Sequence, residues 1–425
     1  MIRTRLCIAF AAVLALILTA CGGGGSSSGP TEIAVWHGYQ DKEGEVFKSL
    51  IDQYNKDHPD VKVSELYSAN DLVLQKVLTA VRGGSAPDVA YMFGSWSPNI
   101  AQIPQVVDMA GEVSKPDWKW DDFYAAERTA ATVGDKVVGV PALVDNLAIV
   151  YNKKLFAAAG IEPPTPNWTW DDFRTAAAKL TDPSKGQYGW LIPADGSEDT
   201  VWHYLPMLWG AGGDILNADN THATFNSDAG VKALTVLQQM AVTDKSVYLD
   251  TTNENGPKLM NSGKIGMLVT GPWDLSSLPD IEYGVQVMPT FAGASSAHQT
   301  ISGPDNWVTF NNGDKKKRAA IDFVKWLTAP EQVKTFSQGT GDLPTRTSVG
   351  QDPAFVAKLN EQLPGSATFV ENLSNVKKVR PTVEQYPAIS EAMGQAVVAV
   401  MLGKDQPATA LNSAAQAADA ALAGK

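Results

Sequence analysis

Thr31-Glu-Ile-Ala-Val-Trp36, Val61-Lys-Val63 and Asp88-Val-Ala-Tyr-Met-Phe93 are three short apolar runs, and each is followed by a break. Ile33 and Val35 alternate with polar neighbours, the period of a strand. Between the first two runs, Val46, Phe47, Leu50, Ile51 and Tyr54 recur at helical spacing, and Asn55 to Pro59 ends that helix. Between the second and third, Leu74, Val77, Leu78 and Val81 form the inner face of a helix over 72–82, closed by Gly83-Gly84. Strand, helix, strand, helix, strand requires a parallel or mixed sheet covered on both faces, so the fold class is α/β.

Working outward, the same alternation recurs after Val140. Ala148–Tyr151 and Ile265–Val269 read as strands, and 154–159, 171–180, 231–240 and 319–327 as helices. The alanine-rich stretch 389–423 is helix-prone throughout. Trp118-Lys-Trp120-Asp-Asp-Phe123 is echoed by Trp168-Thr-Trp170-Asp-Asp-Phe173. Aspartates at a helix start satisfy free N–H groups, so the echo reads as capping and packing rather than as a ligand platform.

The N-terminus carries an address. Arg3 and Arg5 precede an apolar run from Leu6 to Leu18 that is short for a membrane span. Leu18-Thr-Ala-Cys21 and a Gly/Ser run from Gly22 to Gly29 follow. This layout resembles the lipobox of bacterial lipoproteins. That resemblance implies a signal peptide over 1–20, lipidation of Cys21, a flexible tether over 21–30, and a mature chain anchored on the extracytoplasmic face of the cell membrane.

Composition narrows the functions. The chain has 425 residues, 44% of them apolar, which permits a large core. Its only cysteines are Cys7, inside the leader, and Cys21, so the body has neither disulfide nor thiolate metal site. Net charge is -12, from 34 basic and 46 acidic residues, which argues against nucleic acid and anionic lipid surfaces as partners. No phosphate loop ends in Lys-Ser or Lys-Thr, the 5 histidines form no zinc motif, and no nucleophile elbow is present. The paired acids Asp121-Asp122 and Asp171-Asp172 are adjacent, and hydrolysis of a glycoside needs carboxyls facing each other across the bond. The chain therefore reads as a non-enzyme without metal or cofactor. An exported glycosidase and a structural lipoprotein are the rival classes.

Seven runs in order carry a family resemblance: Trp36-His-Gly-Tyr39, Gly83-Gly-Ser-Ala-Pro-Asp88-Val, Val138-Gly-Val-Pro141, Ile149-Val-Tyr-Asn152-Lys, Pro166 to Phe173, Gly271-Pro-Trp273 and Gly341-Asp-Leu-Pro-Thr-Arg346. From Thr31 onward the chain resembles the extracytoplasmic solute-binding proteins of ABC importers. The nearest class is the carbohydrate-binding one that includes maltose- and glycerol-3-phosphate-type receptors. The resemblance implies a two-lobe periplasmic-binding-protein fold, each lobe a mixed sheet flanked by helices. It implies lobes of 31–143 with 300–337 and of 144–299 with 338–425. Crossings are expected near Pro141–Asp145, Pro289–Gly303 and Gly339–Pro344. It further implies a monomer that closes on a carbohydrate-like solute and hands it to a membrane permease.

Sugars need aromatic plates for ring faces and polar groups for hydroxyls. Trp273, just past an apolar strand, is the first expected plate, with Trp202 and Trp96 as others. Asp145 and Asn146 are expected at a crossing, where the family places a ligand carboxylate. Ser95 follows the third strand, and His37, Tyr39, Gln40 and Asp41 follow the first, where ligands of α/β sheets gather. Asn306, Arg346 and Tyr386 are carried over from the C-terminal part. Of the arginines beyond the leader, only Arg346 and Arg380 fall where the cleft should be, which favours a neutral sugar over a glycerophosphodiester.

Overall fold

A computed structural model describes residues 29–424 except 280 and 294–297. The leader and Cys21 lie outside the described residues. Among the described residues twelve strands occur in chain order: β1 (Thr31–His37), β2 (Val61–Tyr67), β3 (Val89–Phe93), β4 (Thr132–Val133), β5 (Lys136–Val137), β6 (Val140–Leu143), β7 (Ala148–Asn152), β8 (Tyr188–Pro193), β9 (Val247–Asp250), β10 (Ile265–Thr270), β11 (Tyr283–Gln286) and β12 (Asp305–Thr309). Two five-stranded mixed sheets result, ordered β2-β1-β3-β12-β6 and β11-β7-β10-β8-β9, and β4 and β5 form a small hairpin.

In the first sheet β1 runs parallel to β2 and β3, with Val35 opposite Val89, and β12 runs antiparallel to β3 and β6. In the second, β8 is parallel to β9 and β10, and β7 is antiparallel to β10 and β11. The buried strands are near-continuous apolar runs because helices cover both faces. Helix Asp41–Asp57 buries Phe47, Leu50, Ile51 and Tyr54 on the first sheet, the face its spacing dictates. Helix Trp170–Leu180 buries Trp170, Phe173, Ala176, Ala177 and Leu180 on the second. Truncating a buried ring such as Phe47 or Phe173 to alanine removes about 3–5 kcal/mol.

Most elements read from the sequence are present, with ends moved by a few residues. The alanine-rich tail is two helices, Tyr386–Met401 and Pro407–Leu422. Gly403 adopts φ +69° and Pro407 restarts the chain, so propensity alone could not reveal the break. Both helices pack into the core of the second sheet. The Trp-Asp-Asp-Phe echo splits into two roles. In the second copy Thr169 caps the helix and Asp172 accepts in turn from the Thr169 N–H, a capping box. In the first copy the residues form short 3-10 turns, and Asp122 instead accepts from the Thr347 hydroxyl and the Ser348 N–H and hydroxyl.

The chain leaves the first sheet after Leu143, enters the second at Ala148, and returns to the first at Asp305. A third segment lies beside these, since Val144 bridges Leu343, and the Thr300 hydroxyl bonds both the N–H and the C=O of Leu147.

Candidate functional site

Arg380 lies over both Phe93, the last residue of β3, and Trp202, in the helix that follows β8, so the strand ends of the two sheets face one another across a crevice. Ligands of α/β proteins bind outside such strand ends, because the chain leaves the sheet there in loops free to carry polar groups. The crevice is closed. Helices Asp41–Asp57 and Pro330–Thr340, beside the first sheet, both touch the turn Pro272–Ser277 that follows β10. At Gly341, φ is +99° and an added Cβ would lie 2.5 Å from the Pro272 carbonyl oxygen, so only glycine fits this approach. On the opposite side Asn99 and Gln102 bond the backbone and side chain of Glu384 at 2.9 and 3.1 Å.

One group of expected residues does meet there. Asp145 is buried, and its Oδ1 accepts from the Gly303 N–H at 3.0 Å. A Cβ on Gly303 would be 2.8 Å from both Asp145 Oδ1 and the Trp202 ring, so that glycine lets the carboxylate and the aromatic plate come together. Trp273 is half-buried in the turn after β10, and Tyr39 is buried at the end of β1 among Phe47, Tyr91, Trp307 and Phe336.

Others are placed elsewhere. Asn146 is fully buried, donates to the Phe369 carbonyl and accepts from Asn372, tying a crossing to the C-terminal segment. Trp96 belongs to an apolar core with Val73, Leu74 and Met92 and leans on Phe93 at 4.4 Å, so it is packing rather than a plate. Ser95 is buried beside it. The His37 Nδ1 accepts from the Tyr39 N–H, and its Nε2 lies 3.2 Å from Glu65. Burial lowers His37 to about 4, so the ring is neutral and structural. Gln40 and Asp41 are exposed at the helix start. Asn306 is buried on β12, opposite Met92 and Pro141, with neither amide atom paired within the protein.

Arg346 is a correction. Its Nε donates to the Thr328 carbonyl, its Nη groups donate to the carbonyls of Trp118 and Lys119, and its guanidinium stacks 4.0 Å from the Phe123 ring. With Asp122 at 3.5 Å, this arginine staples a loop and offers no fork to a ligand.

Tyr386 is also committed inward. Its hydroxyl donates to Glu198 Oε1 at 2.9 Å, where Arg380 Nη1 also donates at 2.9 Å, and the Ser390 hydroxyl donates to Oε2. Arg380 lies over the Trp202 ring at 4.7 Å and the Phe93 ring at 5.6 Å. Glu198 therefore pairs the charge of the one arginine that faces the crevice among the described residues.

Of the buried acids here, the sequence pointed to Asp145 and missed the others. Asp305 binds the Tyr91 hydroxyl and is pushed up to about 6 by burial. Asp342 is pushed up to about 7 and Asp274 to about 6, again by burial. Burial also raises Asp145, Glu43 and Glu127, and neighbouring carboxyls add to each rise. Asp342 stood within the Gly341-Asp-Leu-Pro run, and Asp305 next to Asn306, but no local spacing marks Glu43, Glu127 or Glu198. No group of these residues has the arrangement of a metal site among the described residues.

Residues 38–334 match the family of bacterial extracellular solute-binding proteins. The chain belongs to that family. It is 25% identical to the sn-glycerol-3-phosphate-binding periplasmic protein UgpB of Pectobacterium atrosepticum, over 97% of this chain and 95% of that one. It is 29% identical to an uncharacterized lipoprotein of Streptomyces antibioticus, over 83% of this chain and 78% of that one. The crystal structure of the cyclic α-maltosyl-1,6-maltose binding protein of Arthrobacter globiformis superposes with a TM-score of 0.74 at 29% identity, over 93% of this chain and all of that one. The closed crevice of this solute-binding protein thus lies where the two sheets present their strand ends, and its walls are aromatic and acidic.

Proposed function

We propose that this protein is the receptor of an ABC importer that captures a sugar or oligosaccharide by closing its lobes and delivers it to a membrane permease. The lobes would be 31–143 with 300–337 and 144–299 with 338–425. The carrying observation is the crevice itself, in which Trp202, Trp273 and Tyr39 would serve as plates for sugar faces and Asp145 and Asp305 as acceptors for hydroxyls. The relative from Arthrobacter globiformis, named for a cyclic maltosyl sugar, supports it. Ligand bridging both lobes would favour the closed form. The reading is of a non-enzyme and a monomer.

The UgpB-type relatives support a second reading, a glycerol-phosphate or glycerophosphodiester receptor. Arg346 and Arg380 are both paired with carboxylates of the protein, Asp122 and Glu198, which favours the sugar. The lipobox-like run ending at Cys21 fits a lipid-anchored, palmitate-bearing protein held beside its permease.

Calorimetry over neutral oligosaccharides and glycerophosphodiesters tests the reading. Trp273→Ala and Asp145→Ala should each weaken sugar binding by about 10–100-fold with the thermal unfolding of the ligand-free protein little changed. Unchanged affinity in both variants would remove this crevice as the site.

A further inference from the structure

Behind Tyr39 lies a cavity of about 30 Å³, room for one water-sized group. Four rings, Tyr39, Phe47, Trp307 and Phe336, line it together with aliphatic side chains such as Leu143 and Leu327, and Asp342, Thr345, Thr328 and Ser337 supply its polar edge. The rings are mutually packed, with Tyr39 at 5.4 Å from Phe47 and 5.1 Å from Phe336, and Phe47 stacked on Trp307 at 5.3 Å. Thr345 is 2% exposed and its hydroxyl finds no partner within the protein.

The polar edge is short of positive charge. Asp342 is 1% exposed, and apart from a proton shared with the Glu43 carboxyl beside it, no donor meets either carboxylate oxygen in good hydrogen-bond geometry. The neighbouring Thr340 hydroxyl donates to the Phe336 carbonyl instead. The other group beside Asp342 is the carboxyl of Glu43, with Asp274 close behind. Tyr39 itself feels Glu43, Asp342, Asp305 and Asp145. These acids come from helix Asp41–Asp57, the turn after β10, β12 and two crossings, so both sheets contribute. Arg380 is the nearest cation acting on Asp305 and Asp145, and Glu198 holds it.

Aromatic faces and a buried carboxylate are what a compact cation requires once it leaves water. We propose that this cavity is an ammonium subsite that receives a protonated primary amine of the captured solute, so that the solute is an amine-bearing sugar. The inference rests on the sugar-receptor reading for the rest of the ligand, while the subsite stands on the cavity alone. The balance of charge is simple. An ammonium in the cavity would meet the Asp342 carboxylate, and the proton that Asp342 shares with its neighbour Glu43 would leave to solvent. A phosphate, by contrast, would face these carboxyls with no free arginine.

Thermal unfolding of the full chain in methylammonium chloride tests the subsite without knowledge of the sugar. Relative to sodium chloride at equal ionic strength, methylammonium should raise Tm by about 2 °C or more, and tetramethylammonium, too bulky for the cavity, should not. Asp342→Asn should abolish the difference, and Thr345→Val, a variant that only removes a hydroxyl, should reduce it. Equal Tm in methylammonium and sodium salts overturns the subsite. Calorimetry with a glucosamine disaccharide, the matching glucose disaccharide and a glucose phosphate tests the ligand class. The amine should bind about tenfold tighter than its neutral match, with a heat that varies with buffer as a proton is released. Equal affinity for the neutral sugar, or preference for the phosphate, overturns the inference and leaves the receptor reading intact. Binding of none of the sugars while the methylammonium shift persists would instead sink the sugar reading and keep the subsite.

Discussion

Two buried acidic centres flank the same crevice, and they are built in opposite ways. At Glu198, a guanidinium and two hydroxyls converge on one carboxylate, so every lone pair that matters is used. At Asp342, the neighbour is another carboxyl, and burial drives the group up to about 7. A buried charge is tolerable when paired and hydrogen-bonded, and otherwise it takes up a proton. The first centre is therefore a structural knot that holds Arg380 against Trp202 and Phe93. The second is an unfinished site whose charge is left for something else to balance.

The sharpest way to break this contrast is Arg380→Leu. It strands Glu198 without its cation and should destabilise the protein by about 3–5 kcal/mol in urea unfolding. A loss below about 1 kcal/mol would mean that the knot is not what holds the segment.

Acid should act on the other centre. Asp342, Asp305 and Asp274 have folded values near 7, 6 and 6, all raised above an ordinary carboxylate. A raised acid binds its proton more tightly when folded, so its contribution is fully present below about 4 and is lost as pH climbs through 6 to 7. His37, held near 4, works the other way, costing stability as pH falls below its unfolded value of about 6.5. The three acids outweigh the one histidine. The ligand-free protein should lose on the order of a few kcal/mol between about pH 5 and pH 8. A flat profile of urea midpoints over that range would show the acids to be solvated.

The smallest effect is also the most specific. Asp342→Asn removes the unbalanced charge and should stabilise the ligand-free protein at about pH 8 by about 1–2 kcal/mol, with no gain at about pH 4. The matching change Glu198→Gln should destabilise at both. Two variants of the same sign would erase the distinction between the centres.

Much of the fold was legible in the chain because periodicity is a local property. Helix Asp41–Asp57 and strands β1 and β10 follow from the spacing of their apolar residues. For the proposed site, the sequence pointed to positions just past strand ends, and Tyr39, Asp145 and Trp273 do follow β1, β6 and β10. Arg346 and Asn146 instead spend their side chains on carbonyls of distant segments, a pairing that no local pattern shows. Trp96, also next to a strand end, went to the core because its neighbours Val73 and Leu74 come from a distant helix.

By itself the sequence determined the alternation of strand and helix, the absence of cysteine from the body, and the order of runs that place the chain in its family. Only the tertiary structure decided which acids confront each other. Glu43, Asp274 and Asp342 are scattered along the chain and meet because helices Asp41–Asp57 and Pro330–Thr340 pack against the turn after β10. A side chain's charge is written in the sequence, but its partner and its distance from water are set by folding, and those two quantities decide whether it pairs, protonates or waits for a ligand.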